Sequence, residues 1–196
     1  MTTGLLVYAL AWVLFGLGHS GLASAPVKAR LIPAFGRRYR IAYNLFALGS
    51  FGALAAVGVA MLGRFPAFSL PSGVRAAMLA VNLAGWAVLL GSARYYDLGR
   101  LAGTTQLRER EAPEDESLRL DGPHRFVRHP LYAGGYLILW GAAINPLGLA
   151  TAVLGSLYLA IGTAFEERKL VRLYGDAYRG YRRRVPALIP WKGRAI

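Results

Sequence analysis

The sequence predicts an all-α polytopic membrane helix bundle: five transmembrane helices, with a C-terminal helical hairpin and a cytoplasmic C-terminal helix. Three observations predict it. Of the 196 residues, 55% are hydrophobic and only 17% charged, which lies on the apolar side of soluble domains. Asp, Glu, Lys and Arg are missing from four long runs: Met1 to Val27, Ile41 to Gly63, Ala76 to Ala93 and Leu131 to Phe165. The 23 Lys and Arg residues collect between those runs, in clusters that alternate from one end to the other.

A transmembrane helix needs about 20 mainly apolar residues. The first three runs each supply one, predicting spans at about 4–25, 41–63 and 76–93. The first run lacks the charged start and small-residue cleavage site of a secretory signal, so it is expected to stay as a span. The fourth run is too long for one span. Asn145-Pro146-Leu147-Gly148 interrupts it near its middle with a turn signal, which predicts a tight hairpin of spans at about 131–145 and 147–165. Residues 166–196 follow as a C-terminal segment, and 1–196 reads as a single integral-membrane domain. Small residues in the second and third spans, Gly49, Gly52, Ala53, Ala56, Ala80, Ala84 and Gly85, are expected to let helices approach closely.

Basic residues set the orientation, because Lys and Arg resist translocation. Lys28 to Arg40 holds five, Arg94 to Arg128 seven and Arg168 to Arg194 nine, against two between Arg64 and Arg75 and none in the Asn145 turn. The N-terminus is therefore expected outside and the C-terminus in the cytoplasm, with a bacterial inner membrane as the expected location. Topology and anionic lipid headgroups account for the net charge of +13, so nucleic acid is not expected as a partner. With no cysteine, there is no disulfide, thiol nucleophile or Cys-based metal site.

Polar residues concentrate at the basic ends of the spans. His19, Ser20 and Ser24 close the first span, and Tyr95, Tyr96, Asp97, Gly103 and Gln106 follow the third. The acids clustered at Glu109 to Glu116 read as a solvated loop. GPHRFVRHPLYAGG, residues 122 to 135, sets two Arg, two His and a Pro against the mouth of an apolar run. Glu166 and Glu167 stand at the end of the fifth span, where charges are interfacial or functional. Tyr174, Tyr178 and Tyr181 continue at spacings of four and three, which reads as an interfacial belt or packing face.

Because the hairpin goes out and returns, residues 122–132 and 166–181 are expected on one side as neighbours. They offer a basic, His-bearing helix entrance, two glycines that let a ligand approach the backbone, and a pair of carboxylates. Such a pocket suits a ligand with a cationic centre together with hydroxyls or a carboxylate, S-adenosylmethionine among them. No G-x-G-x-x-G or G-x-x-x-x-G-K-[ST] motif competes. Three His without H-E-x-x-H spacing give zinc poor support, two unpaired His give heme little, and the spans carry too few ionisable residues for a proton relay.

RHPLYAGG followed by EERKLVRLYGDAYRGYRRRVP resembles the integral-membrane methyltransferases that include isoprenylcysteine carboxyl methyltransferase and the phospholipid N-methyltransferases, over roughly residues 122 to 186. YDLGRLAGTTQL and HSGLASAPVKARL resemble a narrower group, the methanethiol S-methyltransferases and NnrU-like proteins. The resemblance implies S-adenosylmethionine as cofactor. It places Gly122, Arg128, His129, Pro130, Tyr132, Gly134, Gly135, Glu166 and Glu167 at the cofactor. It also implies a small-molecule or lipid methyl acceptor, a thiol among the candidates. Arg172, which matches a residue near the acceptor carboxylate of the isoprenylcysteine enzymes, joins His129 and Asp97 as a catalytic candidate. Asp97, His19 and His129 are candidates for deprotonating a thiol. The alternative reading is a non-enzymatic NnrU-like membrane accessory or transport protein.

Overall fold

The computed structural model describes residues 1–108 and 117–191, and the acidic stretch Glu109 to Glu116 lies outside them. All regular structure among the described residues is helical. Eight α-helices follow one another: α1 Thr2–Ala23, α2 Ala25–Phe35, α3 Tyr39–Leu62, α4 Ser72–Ala93, α5 Leu98–Ala102, α6 Thr104–Arg108, α7 Pro130–Gly141 and α8 Pro146–Arg184. Four helical stretches are long and apolar enough to cross a membrane: Thr2–Ala23, Ala25–Leu62, Ser72–Ala93 and Pro146–Arg184. Their apolar side chains point outward, with Leu6, Leu14, Leu48, Leu83, Leu157 and Phe165 all exposed. That surface suits lipid and marks an integral membrane protein.

The fourth predicted span differs. In place of 131–145, α7 has 12 residues, about 18 Å of helix against a hydrocarbon core of about 30 Å. Ala142 leaves helical geometry, and Asn145-Pro146 turns the chain into α8. Both helices of the hairpin begin with Pro, whose missing N–H is not needed at a first helical position.

The described residues divide into two compact units. The first takes in 1–67, 96–108 and 145–147. Here α1 packs on α3 through small residues: a methyl group added at Gly58 would meet the Tyr8 ring at 2.8 Å. Gly49 and Gly52, expected to serve this purpose, meet no described atom within 4 Å. Tyr8 and Trp12 are buried in this unit with their rings edge to face.

The second unit takes in 68–95, 117–144 and 148–191. Its α4 and α7 approach closely, because Gly85, Gly134 and Gly141 carry no side chain where the helices meet. Asn82 Nδ2 adds a 2.8 Å hydrogen bond to the Ile138 carbonyl, satisfying a polar side chain inside an apolar interface. Between α7 and α8, Tyr136 donates to the Ser156 carbonyl and Trp140 to the Ser156 hydroxyl. At Gly175, with φ 55° and ψ −127°, α8 breaks. A left-handed φ of this kind is open to glycine and strained for side-chain-bearing residues. The limb beyond it folds back, and Tyr178, Tyr181 and Val185 form a buried cluster packed by Leu118, Leu120, Leu170, Val171 and Tyr174.

Candidate functional site

The approach to α7 is built from residues 122–129. Gly122 has φ 53°, and the Tyr95 ring fills the place a side chain would take. A short 3-10 turn, Gly122–Arg125, follows and buries His124. Its Nδ1 lies 3.2 Å from the Arg128 carbonyl, and its own carbonyl accepts a 2.6 Å bond from the Tyr181 hydroxyl. Burial holds the His124 imidazole below its usual value.

Arg128 and His129 are then fixed by their backbones. The Arg128 N–H donates to the Pro186 carbonyl at 2.9 Å and the His129 N–H to the Ala187 carbonyl at 3.0 Å. The chain leaving α8 thus runs beside the chain entering α7. The Arg128 guanidinium also donates to the Val185 carbonyl.

These contacts converge on Glu167. Its Oε1 accepts three bonds of 2.8 Å, from Arg128 Nε, His129 Nε2 and the Tyr178 hydroxyl. Its Oε2 pairs with Arg182 Nε at 3.0 Å. The opposite ring nitrogen of His129, Nδ1, lies 3.6 Å from Glu166 Oε2. Tyr132 stacks on the His129 ring, 5.6 Å away with the planes 10° apart, and also hydrogen-bonds Glu166. Burial alone pushes the Glu167 carboxyl up, but its bonds from His129, Arg128 and Tyr178 outweigh that and bring it to about 2. Burial likewise opposes charge on His129, but bonds to Glu166 and Glu167 raise it above its usual value. A carboxylate faces each ring nitrogen, an arrangement that favours the protonated imidazole.

Arg128, His129, Tyr132, Glu166 and Glu167 are thus brought together as expected. Pro130 caps the start of α7 and is fully buried. At the glycine pair, α4 fills the space beside Gly134, where an added methyl would lie 2.9 Å from both the Gly85 carbonyl and the Leu89 nitrogen. Gly135 faces Leu159 of α8 at ordinary contact distance. Arg172 is exposed on α8. Asp97 belongs to the first unit, where its carboxylate caps α5 by accepting a 2.8 Å bond from the Arg100 N–H. In the same unit His19 Nε2 is 2.9 Å from the Tyr43 hydroxyl.

Sequence reasoning missed Tyr178, Tyr181 and Arg182 as parts of this site. The Tyr spacing reads as a face of one continuous helix, whereas the reversal at Gly175 turns the tyrosines inward. Gly175 itself, a glycine inside a helical pattern, was the available signal.

Residues 73–177, which include most of α4, all of α7 and Glu167, match the phospholipid methyltransferase family. Methanethiol S-methyltransferase 1 of Bradyrhizobium diazoefficiens is 34% identical over 122 residues, 59% of this chain and 42% of that protein. A methanethiol S-methyltransferase of a Pseudomonas species is 28% identical over 194 residues, 94% of this chain and 73% of the relative. Protein-S-isoprenylcysteine O-methyltransferase of Schizosaccharomyces pombe is 35% identical over 81 residues, 39% of this chain and 34% of the relative. The match to the Bradyrhizobium protein spans less than half of that relative's length. No solved structure matches the chain.

Proposed function

The chain belongs to the phospholipid methyltransferase family, and on that premise we propose that it is a membrane enzyme that moves a methyl group from S-adenosylmethionine to a small or lipophilic acceptor, a thiol in the first instance. The observation that carries this reading is the Glu167 centre. Its carboxylate is held by Arg128, His129, Tyr178 and Arg182, and the groups at its edge are half-exposed charges of both signs: Glu166 at 41% and Arg182 at 49% of side-chain area. That donor set suits the cofactor, whose amino-acid end carries an ammonium and a carboxylate and whose centre is a sulfonium.

In this reading Glu166 and Glu167 hold the cationic parts of the donor, and Arg182 with the Arg128 and His129 charges balances the site. When bound, the donor supplies an electrophilic methyl group. Its methyl group would pass to the acceptor with S-adenosylhomocysteine as the leaving group, and a thiol acceptor would give up its proton to solvent before the site excludes water. The residues contribute position and water exclusion, with the reacting atoms held in near-attack geometry. His129, with a carboxylate at each ring nitrogen, orients the carboxylates. Arg172 is assigned to an acceptor that bears a carboxylate, and methanethiol leaves it without that task. The basic clusters after α1, after α4 and in α8 support an N-terminus outside and a cytoplasmic site in an inner membrane.

Methanethiol as acceptor follows from the relatives, which are methanethiol S-methyltransferases. The test is methyl transfer from isotopically labelled donor to methanethiol by the purified protein in detergent or nanodiscs. Labelled dimethyl sulfide is expected. Transfer to a phospholipid or a prenylcysteine carboxylate in its place would overturn the thiol assignment, and no transfer to any acceptor would overturn the enzyme reading.

A further inference from the structure

Glu167 and Tyr178 are separated by 11 residues, which along one straight helix would set them about 16 Å apart. Instead the Tyr178 hydroxyl lies 2.8 Å from Glu167 Oε1. The reversal at Gly175 makes this contact, and it buries Tyr178 to 1% exposure. Tyr181 is buried equally well, at 2%, in the same cluster. Its hydroxyl donates elsewhere, to the His124 carbonyl. The two tyrosines therefore share packing and differ in what their hydroxyls hold.

Oε1 already accepts from Arg128 and His129, both fixed by their backbones. The Tyr178 hydroxyl approaches from the limb of α8 beyond Gly175 and closes the third direction around that oxygen. A carboxylate tied through one oxygen to three donors cannot rotate, so its second oxygen keeps one direction, toward half-exposed Arg182. Burial and the Glu167 bond push the Tyr178 hydroxyl above its usual range, so it remains a donor.

We propose that Tyr178 is a positioning residue for donor binding, acting through Glu167: its hydroxyl fixes the carboxylate edge that the methyl donor meets. This rests on the methyltransferase reading. Tyr178 touches neither donor nor acceptor; it sets the geometry of a residue that does.

The experiment compares Tyr178→Phe with Tyr181→Phe in the full-length protein in nanodiscs. S-adenosylhomocysteine is the probe for binding, and S-adenosylmethionine with methanethiol serves for kinetics. Both variants lose one buried hydroxyl and should lose similar thermal stability. Only Tyr178→Phe is expected to weaken donor affinity, by about tenfold, the effect of one hydrogen bond to a charged group. Its KM for the donor should rise while its KM for the thiol stays unchanged. A merely structural tyrosine would lower the amount of active enzyme and leave both constants alone, and that result, or equal donor affinity in the two variants, overturns the proposal. Wild-type protein that binds no S-adenosylhomocysteine defeats the functional reading itself, which separates the two failures. Should Tyr178→Phe not fold, 3,5-difluorotyrosine at 178 keeps the shape and makes the hydroxyl more acidic. Donor affinity is then expected to change on fluorination at 178 and not at 181, and no change at 178 overturns the assignment.

Discussion

His129 Nε2 sits 2.8 Å from Glu167 Oε1 although 38 residues separate them in sequence. The apolar hairpin of α7 and the first limb of α8 leaves from one partner and returns to the other, so a membrane-embedded element brings two charged motifs together. The contact also links the burial of one charge to that of the next: Arg128, His129 and Arg182 all rest on the same carboxylate.

Glu167→Ala should therefore be severe. It leaves the Arg128 and His129 cations buried without their partner, a change that costs about 3–5 kcal/mol when one member of a buried pair is removed. Glu167→Gln retains an acceptor oxygen and should cost less. Unfolding of detergent-solubilised protein, followed by circular dichroism, ranks the two variants.

Stability should also depend on pH from both sides. Glu167 has a folded value lowered from 4.5 to about 2, so its contribution is complete above 4.5 and fades as pH falls toward 2. His129 has a folded value raised above 6.5, so its contribution is complete below 6.5 and fades as pH rises through the folded value. These two groups by themselves favour the range between 4.5 and 6.5, while His124, lowered by burial, opposes stability below 6.5. His129→Gln should flatten the alkaline limb and Glu167→Gln the acid limb.

The two neighbouring glycines of α7 should respond differently to one added methyl. At Gly134 it would press on backbone atoms of α4 at 2.9 Å, whereas at Gly135 its nearest neighbour is the Leu159 side chain at 3.4 Å. Gly134→Ala should cost about 1–3 kcal/mol by forcing α4 and α7 apart. Gly135→Ala should be close to neutral or slightly stabilising, since alanine is the better helix former. Melting of the two variants side by side is the check.

Arg172 is exposed on α8, so Arg172→Ala should leave stability within about 0.5 kcal/mol of wild type. Turnover of a carboxylate-bearing acceptor is expected to fall, with methanethiol turnover unchanged. Parallel assays with the two acceptors decide whether this arginine works at the acceptor end.

Much of this was legible in the sequence because burial in lipid leaves a simple record. Charge-free runs of span length specified α1, α3, α4 and the first limb of α8, and Asn145-Pro146 specified the hairpin turn. Arg128, His129 and Glu167 were legible as motifs, since buried charge at a span end calls for a partner. The length of α7 was not, because an apolar run does not say where a helix stops: Ala142 ends it four residues before Pro146. Nor was the inward turn of Tyr178 and Tyr181, or the pairing of Arg182 with Glu167, which depend on one left-handed glycine at 175. The close approach of α4 at Gly134 was not legible either, because a glycine admits either a ligand or a helix and the sequence does not say which element comes near it.

The central claim is that the Glu167 centre binds the methyl donor. The most direct measurement is calorimetric titration of folded wild-type protein and of Glu167→Gln with S-adenosylhomocysteine, both below their melting temperatures. The account predicts saturable one-site binding to the wild type, weakened at least about tenfold in the variant, in line with the loss of a charge-assisted contact. No binding by folded wild type, or equal affinity in the two proteins, would contradict it.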